Sequence, residues 1–444
     1  MTLLAGHAAA IITPPIGTYL EGYFPPDDVS QGVHDDLHAR ALVLDDGATA
    51  VAIVSCDLMG VDRHLVAEAR DLASKRTGIP AEQIVIAGTH THAGPVGLAF
   101  QIDRQLLEVT ARHIADAIAA AYESRRPAVL KIGGTSVDSV SQNRRHPDWP
   151  VDTELTVLLV DDPDPRLPPI AALINFACHA TVLYRTNMLV SADYPGHAVR
   201  SLEQLFPGMG GLFLNGACGD VNPAWMAQDH FEAERVGKIV GAAAARLVGE
   251  LRPLGNRHVV HNIRWNEHLE QRVTAGELIE NVRLRVAWKR VELPAKTFLP
   301  DAEYESTLRE LDARVQTDDI EQRRRAQAQI SRLRMEREVG RDMAKRGTAS
   351  LHPEVMAIGL SPDVALLALH GEFFAETAAD IRAQAGLRYL PIACYANHYI
   401  GYVVPANAMA EGGYETGITM VGPEGESIVR RASLELLAEV TRAR

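Results

Sequence analysis

Short apolar runs bounded by polar or glycine-containing turns recur along the chain, and between several of them apolar residues fall at intervals of three and four. The runs at 41–44, 51–56 and 83–87 predict buried strands, whereas 65–74 and the alanine-rich stretch 104–122 predict amphipathic helices. The pattern returns at 155–160, 170–177 and 211–214. It returns again at 364–369 and 389–395, with a helix expected between these two up to Ala385 and a closing helix at 427–440. Residues 143–147, Asn-Arg-Arg-His-Pro, read as a loop. This is the grammar of an α/β or mixed α+β fold. No internal repeat or low-complexity linker is evident, so residues 1–444 read as one large domain with a mixed β-sheet core and surrounding helices.

One segment departs from this grammar. From 301 to 346 charged residues dominate, and Leu308, Leu311 and Val315, then Ala326, Ile330 and Leu333, recur at helical intervals. Asp318, three residues before Glu321, resembles a capping box opening a second helix. The expectation is a helical hairpin inserted into the domain, serving as a cover or as a surface for homo-oligomer assembly.

Composition narrows the function classes. The 444 residues are 47% hydrophobic, ample for a sizeable core. A net charge of -13 disfavours nucleic acid as a partner. No window approaches the ~20 apolar residues of a transmembrane segment, and the first residues show no basic-then-apolar leader. Cys56, Cys178, Cys218 and Cys394 are widely spaced with no Cys-x-x-Cys pair, so a reduced, cytoplasmic protein is expected.

Candidate chemistry gathers at strand ends. After Ile84-Val85-Ile86 comes Ala87-Gly88-Thr89-His90-Thr91-His92-Ala93-Gly94-Pro95. Residues two apart in extended chain point to one side, so His90 and His92 can aim into one cavity before Gly-Pro turns the chain. Such a pair can equally be two imidazoles satisfied by backbone carbonyls. The run 170–177 leads to Cys178-His179, 211–214 leads to Asn215-Gly216-Ala217-Cys218-Gly219-Asp220-Val221-Asn222-Pro223, and 364–369 leads to His370-Gly371-Glu372. Zinc takes ligands from His, Cys, Asp and Glu. Without clustered cysteines a site here must use His and carboxylate, and His90, His179 and Glu372 each follow an apolar run. Spacing alone does not select them from 17 histidines and many carboxylates.

At this point the residues resemble a known family, the neutral/alkaline ceramidases, zinc amidases that cleave the N-acyl bond of a sphingolipid. The likeness is collinear. It runs through Gly32-Val33-His34, Ala39-Arg40-Ala41, Ser55-Cys56-Asp57-Leu58, Thr89 to Pro95, Asn143-Arg144, Asn175 to His179, Ser191-Ala192-Asp193, Asn215 to Val221, Gly371-Glu372-Phe373, and Gly401-Tyr402-Val403 with Tyr414. The resemblance implies that His90, His179, Glu372 and Tyr402 bind zinc. It further implies that His92 handles the proton of the zinc-activated water, that Tyr414 donates to the oxyanion, and that Arg144 and Asp220 orient the polar end of the substrate.

The chain also departs from the family pattern. Asn222 stands where the family has serine, and an amide is no nucleophile, so an acyl-serine at this position is excluded. The chain ends soon after Tyr414, without the C-terminal immunoglobulin-like domain of ceramidases, and the 301–346 insertion has no counterpart there. The expectation is a zinc-dependent hydrolase of a small-molecule or lipid-like N-acyl amide, smaller or more polar than ceramide. A zinc-assisted esterase or lactonase, and a catalytically silent binding relative, are the competing readings.

Overall fold

The structure, a computed structural model, describes residues 2–22, 29–149, 151–253, 276–317, 319–347 and 349–442. Its organising pattern is one topology used three times. Leu4–Ile11, His38–Asp45 and Ala50–Cys56 pair antiparallel in sequence, and Ile84–Gly88 then adds in parallel after the helix Arg63–Thr77. Val129–Ser136, Glu154–Asp161 and Ala171–Phe176 repeat this, with Gly210–Asn215 in parallel after Asp193–Leu205. Arg285–Arg290, Glu354–Ser361 and Val364–Ala368 repeat it again, with Ile392–Ala393 in parallel after Ala375–Ala385. A longer helix closes each unit: Arg104–Glu123, His230–Leu251 and Gly425–Thr441. The chain therefore does contain an internal repeat, of topology, which the sequence does not display.

Side-chain alternation sets the layers. Leu42 and Leu44 of the first sheet, Leu158 and Leu173 of the second, and Ile358 and Leu366 of the third bury themselves in one shared central core. The opposite faces pack outward on each unit's own helices. Ala41 and Val43 meet Leu65 and Ile114, Ile174 and Phe213 meet Val199 and Val240, and Ala357 and Leu367 meet Ile381 and Leu436. Strands covered on both faces read as continuous apolar runs, which is why they stand out in the sequence.

The inserted segment is the expected hairpin, Asp301–Val315 and Ile320–Arg346, closed on Leu311, Ile330 and Leu333. Its second helix is capped by Asp319, whose carboxylate accepts from the Glu321 and Gln322 amides; the expected cap, Asp318, lies outside the described residues. The strand expected over 389–395 shrinks to Ile392–Ala393. Beyond Ala393 the backbone bonds to other units as well as to its own, with Cys394 N donating to Asn215 O at 2.9 Å and Gly88 N to Tyr395 O at 3.1 Å, while Ala396 N donates to Leu369 O at 2.9 Å.

The third unit carries a buried titratable group that links fold to pH. His370 is fully buried, with Nδ1 3.3 Å from Glu354 O and no hydrogen-bond partner for Nε2. Burial first, and then His398, lowers its pKa to about 3. The unfolded chain takes up this proton at an ordinary pKa of about 6.5 while the folded protein refuses it. Stability from this group is therefore full above pH ~6.5 and drains by about 1.4 kcal/mol per pH unit as pH falls toward the folded value. Urea unfolding of His370→Leu between pH 7 and 4.5 should show a loss smaller than wild type by about 2.5 kcal/mol; equal pH slopes would remove this assignment.

Candidate active site

The three units present their strand ends to one place. His90 follows Ile84–Gly88 of the first, His179 follows Ala171–Phe176 of the second, and Glu372 follows Val364–Ala368 of the third. His90 and His92 do come together, their rings 4.7 Å apart at 87°. They do not do so as alternate residues of an extended strand, because His90 has φ 70°. The left-handed backbone there, rare for a residue with a Cβ, swings the ring inward while His90 N donates to Leu58 O at 2.8 Å.

The ring nitrogens are fixed by what they touch. His90 Nδ1 lies 2.8 Å from Met59 O and His179 Nδ1 2.6 Å from Cys218 O. A carbonyl only accepts, so each Nδ1 carries the hydrogen and each Nε2 keeps its lone pair. Those lone pairs converge. His90 Nε2 is 3.2 Å from His92 Nε2 and 3.4 Å from Glu372 Oε2, and His179 Nε2 is 3.0 Å from Glu372 Oε2. His90, His179 and Glu372 are all buried, and neither His179 Nε2 nor Glu372 Oε2 makes a well-formed hydrogen bond.

Acceptors packed this closely away from water repel one another unless a cation lies among them. Donors around a tetrahedral zinc, at about 2.0–2.1 Å from the metal, lie roughly 3.3–3.4 Å from each other, close to the observed separations. The residues present thus fit a divalent metal. Their protonation agrees. Burial, and then Arg144, lowers His179 to about 4, and burial, then His90 and His179, sets His92 well below its ordinary value. Burial alone would raise Glu372, but His90 and His179 beside it hold the carboxyl well below the usual range.

The other expected residues form the rim. Tyr402 lies opposite Glu372 in the parallel pair Glu372–Phe373 with Tyr402–Val403. Its hydroxyl accepts from Arg144 Nη2 at 2.8 Å; burial pushes the phenol well above its ordinary pKa while Arg144 opposes that. Tyr414 lies at a steep angle to Tyr402, ring centroids 6.1 Å apart, and is 40% exposed. Arg144 also donates to Glu415 at 2.8 Å, to Gly219 O at 2.6 Å and to Asn222 Oδ1 at 3.3 Å. Asp220 has both carboxylate oxygens engaged by protein, Oδ2 by Asn143 Nδ2 at 2.8 Å and Oδ1 by Ala375 N at 2.9 Å. It clamps the Arg144 loop to the helix that follows Glu372.

The sequence comparisons are decided by the first half of the chain, which carries His90, His92, Arg144, His179 and Asp220. Residues 4–229 match the family model for neutral/alkaline non-lysosomal ceramidase, N-terminal. The chain belongs to that family. Neutral ceramidase 2 of Arabidopsis thaliana is 28% identical over 221 residues, 44% of this chain and 29% of that protein. The neutral ceramidase of Drosophila melanogaster is 30% identical over 256 residues, 50% of this chain and 36% of that protein. The matched stretch thus spans about a third of the length of these relatives. The crystal structure of neutral ceramidase from Pseudomonas aeruginosa superposes with a TM-score of 0.74 at 18% identity, covering 99% of this chain and 75% of that one, so the fold is shared.

Within this ceramidase-family frame the structure adds residues the sequence reading passed over. Tyr399 donates to Glu372 Oε1 at 2.5 Å, and the Tyr395 ring stacks on His90 at 4.0 Å and 21°. Gly22, with φ 105°, lies so close to the His92 ring that a Cβ would sit 2.3 Å from it. Nothing in the sequence marks these tyrosines apart from ordinary core aromatics. The helical insertion also reaches the rim. Lys296, paired with Glu336 of the hairpin at 2.8 Å, donates to Thr416 O at 2.6 Å in the short helix Tyr414–Ile418.

Tyr399 leaves Oε2 of Glu372 as the oxygen facing the imidazoles. Tyr399→Phe should keep the fold and weaken divalent-metal affinity by about 10–100-fold, as losing an outer hydrogen bond to a ligand does. Competition with a chelating indicator measures this. Unchanged affinity would show that Glu372 is oriented by its backbone alone.

Proposed function

We propose that the protein is a zinc-dependent hydrolase that cleaves the N-acyl bond of a linear amide into a carboxylate and an amine. The observation that carries this is the buried convergence of His90, His179, His92 and Glu372 at 3.0–3.4 Å, in a chain whose relatives are named neutral ceramidases. His90, His179 and Glu372 would hold the metal, with Tyr402, beside Glu372, as the further ligand. A metal bound there supplies a Lewis acid for the scissile carbonyl and lowers the pKa of the attacking water.

The chain's own residues do the rest. His92, kept neutral by burial, has Nε2 turned into the cluster; it accepts a proton from the attacking water and passes it to the departing amine nitrogen. The Tyr414 hydroxyl, at the open side of the rim, donates to the oxyanion that forms as the carbonyl carbon becomes tetrahedral, a contribution of about 3 kcal/mol for a well-placed donor. Arg144, held charged by Tyr402 and Glu415 despite its burial, fixes the Tyr402 oxygen. Asn222 takes part as an acceptor for Arg144, which leaves direct attack by water as the route.

Around the rim Arg145 pairs with Glu411 and Glu415, and His146 stacks on Trp149 at 3.8 Å. The substrate belongs to the same proposal: an N-acyl compound smaller or more polar than ceramide. The four cysteines are all buried free thiols, and a reducing, cytoplasmic setting is part of the same proposal. Among the described residues no helix is long and apolar enough to cross a membrane.

The test is turnover of a panel of N-acyl amides and matched esters before and after exhaustive chelation. Amide cleavage should vanish with the metal and return on adding zinc, and His92→Ala should lower kcat by about 10²–10⁴-fold with metal content unchanged. Full amide cleavage with the metal shown to be gone would overturn the proposal. Ester turnover with no amide turnover would reassign the enzyme as an esterase.

A further inference from the structure

A second cluster of donors lies behind the catalytic loop, and we infer that His34, Asp35 and His197 form a separate site for a divalent transition-metal ion such as Zn²⁺, Ni²⁺ or Co²⁺. The three residues each offer a ligand atom within 4.8 Å of the others. His34 and Asp35 follow the short strand Gly32–Val33, whose partner is Leu189–Val190. His197 comes from the first turns of the helix Asp193–Leu205. Two imidazoles and one carboxylate are the donor set that borderline divalent ions prefer, with remaining positions left to water.

His34 Nδ1 lies 2.9 Å from Asp35 Oδ2 and Ala192 N donates to Asp35 Oδ1 at 3.0 Å, so an entering ion competes with these contacts, and His197 brings the donor that has none. His197 Nε2 is buried with no hydrogen-bond partner, and burial, then Arg200, lowers His197 to about 4, so the imidazole is neutral with a free lone pair. His230 stacks on His34 at 3.8 Å and 14°, fixing the plane of that ring. Burial would raise Asp35, but Arg200, Ser191 and His34 hold it below the usual carboxylate range. His34 itself is exposed, so an ion can reach the cluster from solvent.

The cluster is also wired to the active site. Ser191 Oγ donates to Asp35 Oδ2 at 2.5 Å, and the Ser191 carbonyl accepts from Thr91 Oγ1 at 2.7 Å. Thr91 sits between His90 and His92. Arg200, 3.0 Å from Asp35 Oδ1, already balances part of the carboxylate charge, so this site should bind more weakly than the central one and act as a brace for the catalytic loop.

The test is metal stoichiometry by equilibrium dialysis of the full chain against Co²⁺ or Zn²⁺, with the visible Co²⁺ spectrum as a signature. Wild type should bind two equivalents of different affinity. His90→Ala combined with His179→Ala should keep one, and His34→Ala combined with His197→Ala should remove the weaker one, leave the tighter one and lower the metal-dependent rise in melting temperature. His34→Gln, a change at an exposed position, repeats the test without altering the helix. Absence of bound metal in the His90→Ala, His179→Ala protein, or a remaining equivalent indifferent to both His34 variants, overturns the inference. Because the readout is binding in protein lacking the central ligands, it stands or falls apart from the hydrolase proposal.

Discussion

Every other feature of the site depends on hydrogen bonds that lock three sheet ends to one another. Ser55 Oγ donates to Phe213 O at 2.5 Å and Asn215 Nδ2 to Thr89 O at 3.1 Å, joining the first unit to the second. Asn175 exchanges two bonds with Ile392, joining the second to the third. Asn397 exchanges two with Ile86, joining the third to the first. All four side chains are buried, where an unmet amide would cost about 1–3 kcal/mol, so each junction tolerates little slippage. Rigid ends are what allow His90, His179 and Glu372 to be held with their lone pairs facing one another. A looser frame would let these side chains turn away.

Crowding acceptors in this way is unfavourable, and the charge distribution shows how the fold accommodates it. Carbonyls of Met59 and Cys218 take the Nδ1 hydrogens, Tyr399 takes one oxygen of Glu372, and Arg144 stands at the Tyr402 oxygen. What is left over is one inward set of lone pairs and one negative charge, the complement of a divalent cation. Arg144 and Arg145 share Glu415, so the rim is braced by ion pairs that need no substrate. Asp220 belongs to this bracing, since its carboxylate joins the Arg144 loop to the helix beginning at Ala375.

Much of this was legible in the sequence because strands buried on both faces leave continuous apolar runs, and ligands at their ends follow within a few residues. His90, His179 and Glu372 become candidates that way, and the likeness to the ceramidase family is what singles them out from the other histidines and carboxylates. Backbone geometry could not, since the left-handed turn at His90 has no residue signature and yet sets the ring's direction. The threefold use of one topology was invisible because apolar alternation fixes a strand without fixing which residue fills it. Tyr399 and Tyr395 look like core aromatics until their partners are seen. The 389–395 run reads as a strand by composition, but the Cys394 amide is claimed by Asn215 of the second unit. The cap of the second hairpin helix was expected at Asp318 and is carried by Asp319, a one-residue difference that pattern alone does not resolve.

The central claim is that two imidazoles and a carboxylate from three separate units bind one metal. Zinc K-edge absorption of protein carrying His34→Ala and loaded with one equivalent of zinc tests it most directly. The expected first shell is nitrogen and oxygen only, at about 2.0–2.1 Å, with imidazole scattering that diminishes in His179→Ala. A sulfur shell near ~2.3 Å, or a spectrum unchanged by His179→Ala, would contradict it.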